Sequence, residues 1–144
     1  MSMSNTAETA FLNLIFANTD FANIGDATGL RGSSTAGSLY LSLHTADPGE
    51  AGSQTTSEAT YTSYARVAVS RTTGFSVSGN SATLAALTSF PACTGGSNTI
   101  TYFGIGTDSS EAGTLLFSGA LNASLSVSSG VTPQLTTATS VTFD

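Results

Sequence analysis

Lysine is absent from the 144-residue chain, and its only cations are Arg31, Arg66 and Arg71. Gripping phosphate chains takes clustered Lys and Arg, so direct nucleic-acid binding is disfavoured. An anionic membrane is an equally poor partner for a net charge of −6. Charged residues make up 8% of the chain, against about 25% in an ordinary soluble domain, so hydroxyls and amides must supply most of the polar surface. Few long, flexible charged side chains also ease close packing between copies. The single Cys93 has no internal disulfide partner; stability must come from packing, and an oxidising compartment is not implied. Long apolar runs are missing too. No stretch approaches the roughly 20 residues of a membrane span. The first apolar run, residues 11–17, is interrupted by Asn13 and follows an N-terminus without positive charge, unlike a signal peptide. The expectation is a soluble product made without export.

Catalytic equipment is equally scarce. A Ser-His-Asp arrangement would have to use His44, the one histidine, and no serine lies in a G-x-S-x-G elbow. His44 is expected to be a hydrogen-bonded residue at the rim of a strand. Zinc needs several Cys or His ligands, and one of each stands far apart. Calcium is less easily dismissed, because Asp47, Glu50 and Glu58 share a loop whose carbonyls could complete an oxygen shell, although their spacing matches no EF-hand. A glycosidase needs two acids across a cleft, whereas these acids sit in Gly/Ser/Thr-rich loops where they read as surface charge. No enzyme and no cofactor is expected.

What the chain does contain is β-pattern. At 144 residues it should form a single domain that buries roughly two-thirds of its unfolded surface. The organising stretch is residues 37–52, where Leu39, Leu41 and Leu43 alternate with Tyr40, Ser42 and His44, a period of two that puts three leucines on one strand face. Asp47-Pro48-Gly49 then sets a turn: Pro fixes φ, Gly supplies φ > 0, and Asp accepts a local backbone hydrogen bond. Residues 50–63 hold no aliphatic side chain larger than Ala and read as a long displayed loop, whose removal is expected to leave the fold intact. Tyr61 and Tyr64 follow as half-buried core rings or as stacking surfaces for a neighbour.

One helix is predicted over residues 5–17, its apolar face formed by Ala7, Ala10, Phe11, Leu14 and Ile15, with Leu12 and Phe16 off that stripe. Asn5 and Glu8 resemble a capping box. Residues 18–37 read as a loop broken by Gly25, Gly29, Gly32 and Gly37, with Phe21, Ile24 and Leu30 as anchors or contact points. Beyond the acidic loop, strands are expected over residues 65–70, 75–78, 82–87, 99–105, 114–118, 121–127, 131–135 and 140–143. A hairpin is expected at Thr72-Thr73-Gly74, a second turn at Gly79-Asn80, a bulge reconciling Leu84 with Leu87, and an edge or strand start at Pro133. This reads as mainly β: a jelly-roll-like antiparallel β-sandwich, residues 38–144, preceded by a helix and Gly-rich arm, residues 1–37.

The run 38–52, then Tyr64-Ala65-Arg66-Val67-Ala68-Val69, Phe90-Pro91-Ala92 with Thr94-Gly95-Gly96, and residues 113–121 resemble a family of small tailed-bacteriophage virion proteins. Members are often labelled tail-fibre proteins, while size and β-pattern resemble the cement, or decoration, proteins of HK97-like capsids. The resemblance to cement proteins implies a virion protein made in the host cytoplasm and bound on the outer capsid surface. Its partners would be the major capsid protein and neighbouring copies of itself, as dimer or trimer. The alternative is a tail-fibre or tail-tip receptor-binding structural protein. Expected contact residues are Phe11, Phe16, Phe21, Asp47, Glu50, Glu58, Tyr61 and Tyr64, in the N-terminal segment through Phe21 and the loop from Asp47 to Tyr64, each of which combines exposure with apolar or aromatic anchors.

Overall fold

A computed structural model describes residues 3–22, 24, 32 and 34–143. Among the described residues, one helix, α1 (Asn5–Phe16), precedes nine strands: β1 (Ser38–His44), β2 (Val67–Ser70), β3 (Phe75–Ser78), β4 (Ser81–Leu84), β5 (Thr88–Ser89), β6 (Asn98–Gly106), β7 (Leu115–Val127), β8 (Gln134–Leu135) and β9 (Ser140–Thr142). They form antiparallel sheets ordered β2-β1-β6-β7, β3-β4-β9 and β5-β8. The mainly β class with one N-terminal helix is as expected. Two compact units divide the chain, one of Met1–Ser38, Val69–Leu87 and Leu135–Asp144, the other of Leu39–Ala68 and Thr88–Gln134.

In the first unit, α1 starts at Asn5 as expected, but its cap lies one residue earlier than the sequence suggested. Ser4, not Asn5, is the N-cap; its hydroxyl accepts from Ala7 N at 3.4 Å, and Glu8 N donates to Ser4 O at 3.0 Å. The buried stripe is also different: Glu8, Leu12 and Phe16 are buried at four-residue steps, while the expected stripe of Ala7, Ala10, Phe11, Leu14 and Ile15 is only half-buried. Both stripes have helical spacing, and the choice fell to the packing partner, since the Phe16 ring meets Phe75 of β3 edge-on at 4.8 Å. No basic residue stands in the helix's last turn. Arg71 supplies the charge instead, donating to Ile15 O at 2.7 Å and to Leu14 O, two carbonyls of that turn. Phe11 and Phe21, both half-buried, stack edge-on at 5.0 Å, and Ile24 is exposed. Gly25, Gly29, Leu30 and Arg31 lie outside the described residues.

The turn at Gly79-Asn80 closes the β3–β4 hairpin, pairing Ser78 with Ser81; Gly79 at φ +59° takes the first loop position of a type II′ turn. Residues 72–74 make no hairpin: β2 and β3 stand in different sheets. The expected bulge before Leu87 is not formed either. β4 stops at Leu84, and Leu87 is 54% exposed.

In the second unit, β6 is central, between β1 and β7, as its aliphatic and aromatic content suggested. Two segments expected to be separate strands, residues 114–118 and 121–127, are one element, β7, joined across register shifts against β6. Pro133 immediately precedes β8, a strand start. Leu39, Leu41 and Leu43 are buried as their alternation required, but Ser42 and His44 on the opposite face are fully buried as well. A loop covers that face. The segment after β1 does not project: Gln54, Ala59 and Tyr61 are buried, Thr45 N donates to Ser57 O and Ala59 N to Leu43 O, each at 2.8 Å. Residues 50–63 therefore contribute Gln54, Ala59 and Tyr61 to the core, and the expectation that they could be removed without loss of fold is corrected.

Candidate functional site

The turn that begins this loop forms as expected, with Gly49 at φ +69° and Asp47 Oδ1 accepting from Gly49 N at 2.9 Å. It leaves Asp47 and Glu50 exposed. Further on, Glu58 is consumed internally. Its Oε1 receives Arg66 Nε at 2.7 Å and the Tyr64 hydroxyl at 2.8 Å, and its Oε2 receives Arg66 Nη2 at 2.8 Å. The Tyr64 oxygen in turn accepts from Leu43 N of β1 at 3.1 Å. Arg66 adds bonds to Asp108 O at 3.0 Å and Glu111 O at 2.7 Å. A two-point carboxylate–guanidinium pair is strong when desolvated, and here the Arg66 side chain is only 3% exposed. Bonding to Glu58 holds the Arg66 guanidinium more firmly protonated than usual. Burial pushes the Tyr64 hydroxyl well above its ordinary range.

Nothing in this arrangement gathers a metal shell. Glu58 is bonded to Arg66 and Tyr64, Asp47 serves its turn, and among the described residues no group of three or more His, Cys, Asp or Glu side chains could hold an ion. Tyr61 is buried, with its hydroxyl on Pro91 O at 2.9 Å and its ring 5.4 Å from Tyr64; the Tyr64 ring stacks over Phe90 at 6.4 Å. Burial raises the Tyr61 hydroxyl to about 12. Phe16 belongs to the core, and Phe11 and Phe21 cover one another. Of the eight expected contact residues, only Asp47 and Glu50 come together on an open surface.

His44 is not at a rim. Its Nδ1 lies 2.8 Å from Thr56 O and its Nε2 2.8 Å from Ser42 Oγ. A carbonyl can only accept, so Nδ1 carries the proton and the neutral Nε2 accepts from Ser42. Burial lowers the His44 pKa below 6.5, against the opposing pull of Thr56 O and Glu58 and with help from Arg66. The folded chain therefore binds this proton less readily than the unfolded chain. Stability from this group is complete above pH 6.5 and declines as pH falls through 6.5 toward the lower folded value. Thermal melts between pH 7.5 and 5 are expected to show that decline, and His44→Gln to flatten it; an unchanged slope in the variant would assign the decline to other groups.

Asp47 and Glu50, with Gly49 and Gly52, form one side of an open groove of about 680 Å³ whose other side is Tyr102 of β6 and residues 115–120 of β7. Leu116 is 37% exposed there. The β7 side was missed in the sequence, although a signal existed: no charged residue occurs from position 112 to 143, so this strand lacks the charges that usually guard an exposed edge. The groove offers backbone, apolar and acidic surface.

The curated proteins contain no match to the chain. A family profile, Gp80, described as podophage GP4 fiber I protein gp80, matches residues 2–143. This overturns the assignment to capsid cement proteins, together with the capsid surface and the HK97-like capsid protein as partner. Size and β-pattern, which suggested them, are shared by many small virion proteins and carry no address. The fibre alternative is the one supported. The chain belongs to the family of podophage GP4 fiber I protein gp80, phage fibre structural proteins of the virion and not enzymes.

Proposed function

We propose that the chain is a subunit of the podophage tail fibre that works by protein–protein contact, joining other tail or fibre components. The observation that carries this reading is the family match over residues 2–143. The open groove beside β7, which offers backbone, apolar and acidic surface, agrees with it. Association with further copies of the chain, as dimer or trimer, is part of the same reading and is supported by the 8% charge content, which lowers the side-chain entropy lost in repeated contacts. So is a jelly-roll-like packing of the sheets, supported by their antiparallel pairing. Gold-labelled antibody against the chain, applied to intact particles, should mark the tail and leave the head bare. Label spread over the head, or none on particles that contain the chain by mass spectrometry of their separated heads alone, would refute the fibre assignment. Sedimentation equilibrium showing only monomer at every concentration would remove the self-association.

A further inference from the structure

The direction of each backbone group at the sheet edge follows from the hydrogen bonds around β1. Leu43 O and Thr45 N bond to the loop, so in an antiparallel ladder the alternate residues Ser42 and His44 face β6, opposite Gly104 and Tyr102. Phe103 and Ile105 of β6 then face β7, where they pair with Gly119 and Phe117. Ser118 and Ala120 consequently turn their N–H and C=O groups outward. β7 ends the sheet order, and outside the β6–β7 ladder no backbone bond reaches Ser118 or Ala120 among the described residues. Register shifts bound this regular stretch on both sides.

Strand edges are ordinarily blunted by charge or proline, and β7 carries neither over its 13 residues. Exposed beside it are Leu116 and, across the groove, the carboxylates of Asp47 and Glu50. An occupant must therefore supply backbone, an apolar side chain and positive charge. A second copy is poorly equipped: the chain has no lysine, and of its three arginines Arg66 is committed to Glu58 and Arg71 to the end of α1, which leaves a single cation against two carboxylates. We propose that the edge of β7 at Ser118 and Ala120 receives, as an added strand, an extended segment of a different virion protein that bears Lys or Arg beside apolar residues. This deepens the fibre reading and rests on it, naming the kind of contact by which the chain joins its neighbours.

Ser118→Pro removes an outward N–H while leaving the bonds to β6, and proline is tolerated on such an edge. Phage carrying this substitution should hold roughly tenfold less of the chain per particle, by quantitative mass spectrometry, as expected for loss of a backbone bond with its strand contact, while the purified variant melts within a few degrees of the parent. Asp47→Asn with Glu50→Gln, both on exposed side chains, should also lower incorporation and should weaken its dependence on salt; this pair keeps the test decisive if the proline variant does not fold. A photoreactive p-benzoylphenylalanine at Ala120 should cross-link, in intact particles, to a Lys- or Arg-bearing segment of another protein. Wild-type incorporation of folded Ser118→Pro or of the carboxylate pair variant, or a cross-link to a second copy or to bacterial polysaccharide, would overturn the proposal. A chain found in the tail with an unaffected proline variant refutes this edge alone, whereas a chain confined to the head refutes the fibre reading itself.

Discussion

Arg66→Ala is expected to lower the unfolding free energy by about 3–5 kcal/mol, the usual cost of removing one member of a buried ion pair. The charge left behind explains the size. Glu58 would keep only the Tyr64 hydroxyl as a donor, while at the same moment Glu111 O would lose the Arg66 bond and Asp108 O would be left with Gln54 Nε2. Those contacts tie the loop after β1 to the turn between β6 and β7, so the damage should also reach the groove wall at Asp47 and Glu50. Urea unfolding at pH 7 reads the loss as a lower midpoint at constant slope. Adding Glu58→Ala should cost less than its effect alone, because the orphaned carboxylate disappears; the double-mutant cycle isolates that coupling. A loss under 1 kcal/mol for Arg66→Ala would mean the pair is effectively solvated and the loop is held by other contacts.

Gly106→Ala should destabilise by about 1–3 kcal/mol, the range for overfilling a packed interior. The glycine is required by space rather than by backbone angle, since its φ is not in the left-handed region. A Cβ there would lie 2.1 Å from Cδ of Gln54, a fully buried side chain. Gln54 cannot simply swing away: its Oε1 accepts from Asp108 N at 3.0 Å, its Nε2 donates to Asp108 O at 3.3 Å, and its own N donates to Ala112 O at 2.9 Å. Gln54→Ala should accordingly relieve part of the Gly106→Ala penalty, making the pair less harmful than the sum of the two. Strict additivity in chemical denaturation would show that the two sites do not touch. Gly104 has the same role one pleat away, with Ser42 Oγ at 2.6 Å and His44 Nε2 at 2.7 Å from its would-be Cβ.

Several elements were legible in the residues themselves because their causes are local. Alternation placed Leu39, Leu41 and Leu43 inward, and Asp47-Pro48-Gly49 and Gly79-Asn80 each specified a turn. Turn and pleat depend on neighbouring dihedrals, which the sequence encodes directly. The shortage of cations likewise argued against phosphate ligands without any coordinates. Other features depended on what arrived from far along the chain. Two helical stripes were available to α1, and contact with Phe75 selected Leu12 and Phe16 over the larger set. Residues 50–63 are polar by composition, yet Gln54, Glu58 and Tyr61 are drawn in by partners 54 and 30 positions distant or by a neighbouring arginine. Polar groups can be buried only when others satisfy them, and which groups those are is a property of the folded chain. The outward edge of Ser118 and Ala120 is of the same kind: a strand's sequence does not say which of its backbone groups will find a neighbour until the order of the sheet is known.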